Sequence, residues 1–139
     1  VGADDEIDRK KMASKIFADE ALLDKVNEIV HPRVEAFIRE RIAEAKEQGD
    51  VELFFIEAAL LIEAGYGHIV DEMWYIYADV ETRRQRLRES RGYTEERIQG
   101  IICGQLSDQA FRNACQVVIE NSGDAEETYR QIDKKLRED

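Results

Sequence analysis

The sequence is poor in the residues that interrupt or crosslink a fold: 139 residues hold one proline, two cysteines and one tryptophan. Cys103 and Cys115 make neither a disulfide framework nor a zinc-ligand spacing, and read as buried or half-buried thiols in a reducing compartment. No apolar run approaches the ~18 residues of a membrane span; Leu53-Phe54-Phe55-Ile56 and Met73 to Ala78 are far shorter. No signal-peptide pattern is present. No glycine-rich loop ends in Gly-Lys-Ser/Thr, so these residues contain no P-loop for a triphosphate. Gly65-Tyr66-Gly67 lacks the third glycine and the strand context of a dinucleotide fingerprint. Positive charge is scarce as well: 20 Lys+Arg against 31 Asp+Glu leave a net charge of −11. That argues against a protein that simply coats nucleic acid through a basic face.

What is present suits a folded domain. Apolar residues make up 43%, too many for a disordered chain. A chain near this length buries roughly 68–70% of its unfolded surface. The first fifty residues read as helices. Asp8 can cap one through Phe17, and Asp19 can cap the next, whose stripe is Leu22, Leu23, Val26, Ile29 and Val30. That helix is expected to stop at His31-Pro32, because a residue before proline avoids helical backbone. A second stripe, Val34, Phe37, Ile38, Ile42 and Ala45, ends at Gly49, so this half reads as a helical hairpin.

After Gly49 the pattern changes to short apolar runs that read as buried strands: Val51 to Ile56, Met73 to Ala78, and Val117 to Ile119. Helices are expected over Val80–Arg91, Thr94–Gln105 and Ser107–Ala114. Another starts at a capping-box-like Asp124 and Glu127 and carries Tyr129, Ile132 and Leu136. Strands alternating with helices predict an α/β fold with a parallel sheet.

Six arginines fall within fifteen residues, Arg83, Arg84, Arg86, Arg88, Arg91 and Arg97, a local reversal in an acidic chain. Arg84, Arg88 and Arg91 share one helix face, and Val80 and Leu87 mark a buried one. Arginine grips phosphate with a planar fork and stays charged. A solvated face paired with Glu81, Glu89, Glu95 and Glu96 explains the same residues. Glu57, at the end of the first expected strand, stands where α/β enzymes place a metal-organising or substrate-binding carboxylate, or it merely ends the strand. Glu63 is equally open. His31 serves as a helix C-terminal cap as readily as a substrate contact, and His68 reads as surface. Trp74, Tyr75 and Tyr77 read as packing residues rather than a stacking platform.

In order along the chain, these segments resemble the dephospho-CoA kinase family. Ile7-Asp8-Arg9-Lys10-Lys11 with Ile16-Phe17, then Ile29-Val30-His31-Pro32, then Ala59-Leu60-Leu61-Ile62-Glu63 are similar to its motifs. Arg86-Leu87 with Arg91-Gly92 resembles its lid arginines, and Gln105 and Val118-Ile119-x-Asn121-x-Gly123 follow in the family's order. Ala59 stands where the family has proline, and Cys115-Gln116 where Ala-Asp is usual.

The resemblance implies a P-loop kinase-like α/β core, here missing its first strand, with a helical substrate-binding region over 1–50. The remainder of the core would occupy 51–139, with an Arg-rich lid at about 80–105. It implies transfer of the ATP γ-phosphoryl group to the ribose 3′-hydroxyl of dephospho-CoA, with Mg²⁺, in the cytoplasm. Arg86 and Arg91 would be catalytic, and His31, Pro32, Glu63 and Gln105 would bind substrate. Asn121, Ser122 and Gly123 would lie at the nucleotide, and Glu57 would hold the metal through water. Partners would be dephospho-CoA and ATP, with no nucleic acid and no membrane.

The family's P-loop and central strand would lie before Val1. With an opening Val1-Gly2-Ala3 that lacks Met, this predicts a truncated chain, inactive alone and able to self-associate through open strand edges. The alternative is a non-catalytic relative that binds a nucleotide or a protein. Another nucleotide kinase, acting on AMP, is disfavoured by the motif order.

Overall fold

The computed structural model describes residues 7–138, so the Val1-Gly2-Ala3 opening lies outside the described residues. The chain divides into two compact units, Val1–Leu60 and Leu61–Asp139, each described by itself.

In the first unit, α1 spans Arg9–Ala18 and α2 spans Glu20–Gln48. The Asp8 carboxylate accepts from the amides of Lys10 and Lys11 at 3.1 and 3.0 Å, as an N-cap should. Asp19 is the whole joint: its amide donates to the Ile16 carbonyl, closing α1, while its carboxylate accepts from the Leu22 amide and opens α2. Gly49, at φ 74°, ends α2 in left-handed backbone.

Two expectations fail here. The helix does not stop at His31-Pro32, so there is no hairpin of the expected kind; α2 is one helix of 29 residues with Pro32 inside it. A proline deletes one i→i−4 bond and strains one turn, but helix-compatible residues on both sides carry α2 through. His31 is therefore a mid-helix residue and not a C-terminal cap. Nor are the two stripes buried as expected: of their ten residues only Ile38 is buried, and Ile29 is 68% exposed.

Residues 51–58 carry no helix or strand, against the strand expected over Val51–Ile56. A strand exists only by pairing its amides and carbonyls. The sheet among the described residues consists of two other segments, and Leu53, Phe54 and Phe55 are exposed.

The second unit carries that sheet. It opens with a 3₁₀ turn, Tyr66–Ile69, entered through Gly65 at φ 75°. β1 (Trp74–Tyr77) pairs in parallel with β2 (Val117–Glu120), Trp74 opposite Val117 and Tyr77 opposite Glu120. Parallel strands need a long crossover, supplied by α3 (Val80–Arg91), α4 (Glu95–Gly104) and α5 (Asp108–Ala114). Their N-caps, Asp79, Thr94 and Ser107, each accept an amide of the first turn. α6 (Ala125–Glu138) follows β2.

At the end of β2 the Gln131 side chain stands in for a strand partner. Its Oε1 accepts from the Glu120 amide and its Nε2 donates to the Glu120 carbonyl, both at 2.8 Å. Gln116 ties the start of β1, its Oε1 accepting from the Met73 amide at 2.8 Å. The core of this unit is Tyr66, Met73, Ile98 and Ile119, with Thr128 the buried polar residue. α3 contributes no buried residue: Val80 is exposed and Leu87 half-buried, so the buried face expected of it is not formed.

Candidate functional site

β1 and β2 run parallel, so their carboxyl ends lie side by side, where open α/β sheets place ligands. After β1 the chain turns through Ala78 into Asp79, the N-cap of α3; after β2 it turns through Asn121-Ser122-Gly123. The two turns are laced together. The Asn121 amide donates to the Tyr77 carbonyl at 2.7 Å, and the Asp79 amide donates to Ser122 Oγ at 2.9 Å. Thr128, buried on α6, donates its hydroxyl to Asn121 Oδ1 at 2.9 Å. Asp79 in turn accepts from the Thr82 amide and hydroxyl, and those bonds hold its carboxyl below the usual carboxylate range.

The six arginines sort into two groups. Arg84 and Arg88 both pair with Glu95 across the α3–α4 connection, Arg88 Nη2 at 2.9 Å, and Arg84 also donates to Gln99. Arg88, first, and Arg84 pull the Glu95 carboxyl below its ordinary range. For these two, the ion-pair explanation holds. Arg97 lies over the Tyr93 ring, 3.8 Å from its centroid.

Among the described residues, Arg83, Arg86 and Arg91 have no carboxylate partner. Arg86 Nη2 donates to the Gly123 carbonyl at 3.3 Å, and Arg83 Nη1 donates to Gln105 Oε1 at 2.6 Å. Arg83, Arg86 and Gln105 line a cavity of about 220 Å³ with Leu87, Ile101 and Ile102. Guanidiniums that meet only neutral acceptors beside apolar walls suit an anion, because low polarity strengthens charge-assisted hydrogen bonds.

Several residues expected from sequence thus meet in the second unit. Arg86 touches Gly123, Ser122 and Asn121 bind the neighbouring turn, and Gln105 is joined to the same helix through Arg83. Arg91 sits exposed at the last turn of α3, outside the cavity lining, and Glu63 is exposed in the turns before the 3₁₀ segment. His31 and Pro32 lie in α2, and Glu57 in the irregular stretch after it.

Sequence does not single out Asp79, and it marks Arg83 only as one of six clustered arginines. Asp79 follows an apolar strand and precedes a helix, an N-cap signal that was readable; Arg83, one turn before Arg86, was readable only as part of the cluster. Among the described residues, no group of three His, Cys, Asp or Glu is arranged to hold a metal.

Around β1 the remaining polar contacts are structural. Tyr75 stacks on Phe111 at 4.7 Å and its hydroxyl contacts Asp108; burial, first, and Asp108 push that hydroxyl's pKa up. Cys103 is exposed, not buried or half-buried as expected, while Cys115 is half-buried and burial raises its thiol pKa.

The family model described as dephospho-CoA kinase matches residues 1–127. The dephospho-CoA kinase of Shouchella clausii is 35% identical over 129 residues, covering 93% of this chain and 65% of that protein. That of Geobacter sulfurreducens is 36% identical over 131 residues, covering 94% and 66%. The chain thus spans slightly under two thirds of the length of these relatives.

Among solved structures, TT1252 from Thermus thermophilus superposes with a TM-score of 0.80 at 26% identity, over 99% of this chain and 69% of that one. The dephospho-CoA kinase from Campylobacter jejuni gives 0.70 at 19% identity, over 99% and 68%, a likeness of fold. The parallel strands, the arginine-bearing crossover helix and the turn after β2 are therefore those of a family member: the chain belongs to the dephospho-CoA kinase family.

Proposed function

We propose that the protein transfers the γ-phosphoryl group of ATP to the ribose 3′-hydroxyl of dephospho-CoA. The observation that carries this reading is Arg86, free of any carboxylate among the described residues and bonded to the Gly123 carbonyl where two parallel strands end, in a chain of this family.

Phosphoryl transfer asks little covalent chemistry of a protein. It needs the donor and acceptor oxygens aligned and the charge on the migrating group neutralised. Arg86 and Arg91 supply positive charge from α3. Asn121, Ser122 and Gly123 form the turn that receives the nucleotide. Gln105 and Glu63, with His31 and Pro32 from α2, take the dephospho-CoA side, the region 1–50 serving the substrate and 51–139 the remainder of the kinase core. Mg²⁺, carried by the phosphates, would withdraw charge from them, with Glu57 reaching it through water.

These 139 residues hold no Gly-Lys-Ser/Thr loop, so turnover is expected only from a protein that also supplies one. The working compartment is the cytoplasm and the partners are ATP and dephospho-CoA, not nucleic acid or a membrane. Among the described residues, no helix is long and apolar enough to cross a bilayer.

The test is phosphorylation of dephospho-CoA by the protein expressed from its native gene. Arg86→Ala and Arg91→Ala each remove charge needed chiefly in the transition state, so turnover should fall about 100-fold or more with helix content unchanged. Undiminished turnover in both variants would remove α3 from the reaction.

A further inference from the structure

We propose that Arg83 is a second phosphate-binding arginine of this site, resting on Gln105 in this structure and turning onto a phosphate oxygen of a di- or triphosphate ligand. This inference rests on the reading that phosphates are handled at the ends of β1 and β2.

Four observations carry it. Among the described residues, Arg83 Nε is buried and has no hydrogen-bond partner. A buried N–H left unpaired is costly, so a position that satisfies it is favoured. The guanidinium is held instead through Nη1, by a neutral amide oxygen, Gln105 Oε1 at 2.6 Å. A bond from guanidinium to phosphate oxygen is charge-assisted on both sides and roughly twice as strong as a neutral one, so exchanging Gln105 for phosphate runs downhill.

Third, among the described residues Arg83 makes no ion pair: Asp108, whose charge it feels from a distance, is bound to Arg112 at 2.8 Å. Fourth, Arg83 and Arg86 are three residues apart on α3 and line the same cavity. Helix neighbours at that spacing have Cβ atoms about 5–6 Å apart, which lets two guanidinium forks serve adjacent phosphate groups. Leu87, Ile101 and Ile102 supply the apolar part of the same lining.

Sequence alone does not separate Arg83 from Arg84. One step along the helix, Arg84 is consumed by Glu95 and Gln99, while Arg83 is not.

The probe is inorganic tripolyphosphate, followed through the arginine Nε–H resonances of the ¹⁵N-labelled protein, with Arg83 assigned by the peak lost in Arg83→Lys. The expected result is a saturable shift of the Arg83 Nε–H peak, with affinity in Arg83→Lys at least fivefold weaker by calorimetry at unchanged helix content. Gln105→Leu, which frees the guanidinium, should bind tripolyphosphate no more weakly than wild type. ATP and dephospho-CoA are then titrated separately, and the one that reproduces the tripolyphosphate shift is the source of the phosphates.

A silent Arg83 peak, affinity in Arg83→Lys within twofold of wild type, or no tripolyphosphate binding by wild type would each overturn the inference. Turnover is not the readout. Phosphate binding through Arg83 without phosphorylation of dephospho-CoA would refute the proposed reaction and keep the arginine; normal turnover with a silent Arg83 would do the reverse.

Discussion

The two units treat their apolar side chains differently. In residues 61–138, Tyr66, Met73, Ile98 and Ile119 are buried around one parallel strand pair. In residues 7–60 Ile38 alone is buried, while Phe17 is 87% exposed and Ile29, Phe37 and Phe55 face solvent as well. Both regions carry clear apolar periodicity in sequence. Periodicity names the face of a helix that wants cover; it does not supply the cover. Where a crossover returns the chain to its own sheet, the cover is local and the pattern becomes a core. In the first unit, where α2 has only the short α1 beside it, the same pattern stays open.

The largest effect that would break this comparison is in the second unit. Ile98→Ala, at a position with no exposure, should cost about 2–5 kcal/mol, whereas Ile29→Ala should stay within about 0.5 kcal/mol. Urea unfolding of the two variants checks this, and equal losses would mean that the stripe on α2 is covered in solution.

Next is Pro32→Ala. Removing a proline from a helix interior should stabilise α2 by up to about 3 kcal/mol, read as a rise in helix content and midpoint. No change would mean that the helix is interrupted at His31-Pro32 in solution after all.

Smaller is the loss of the α3 cap. Asp79→Ala removes the acceptor of two Thr82 bonds and should lower the unfolding midpoint by less than Ile98→Ala does. Because the folded state depresses the Asp79 pKa, its contribution is present above the ordinary carboxylate range and is lost as pH falls through the lowered value. The variant's midpoint should therefore fall less steeply with acid than that of wild type. Parallel acid limbs would mean that the cap is not formed.

Smallest is Glu95→Gln. It unties Arg84 and Arg88, yet exposed ion pairs contribute little, so stability should barely move. Tripolyphosphate affinity should rise, since two arginines lose their internal anion. An unchanged affinity would place Arg84 and Arg88 away from the phosphates.

Much of this fold is legible in the sequence. Asp8, Asp19 and Asp124 start helices because their side chains accept first-turn amides, and Gly49 ends one by taking left-handed backbone, rules local enough to read from single residues. The strands at 74–77 and 117–120 were legible as apolar runs between turn residues. Val51–Ile56 has the same look and forms no strand, because a strand depends on a partner that no local pattern encodes. Pro32 misled for the complementary reason: a local breaker was outweighed by the helix on either side.

At the site, composition showed a reversal of charge, and the motif order pointed to the family. Which arginines remain free of carboxylates depends on Glu95 lying across a turn from two of them, a tertiary fact. The orphaned Nε of Arg83 has no sequence signature at all.

The most direct test of the central claim is the ³¹P spectrum of dephospho-CoA incubated with ATP, Mg²⁺ and the protein expressed from its native gene. The account predicts a new phosphate monoester resonance with wild type, formed about 100-fold or more slowly with Arg86→Ala although that variant keeps its helices. A monoester formed as fast by Arg86→Ala as by wild type, or no monoester with wild type, would contradict it.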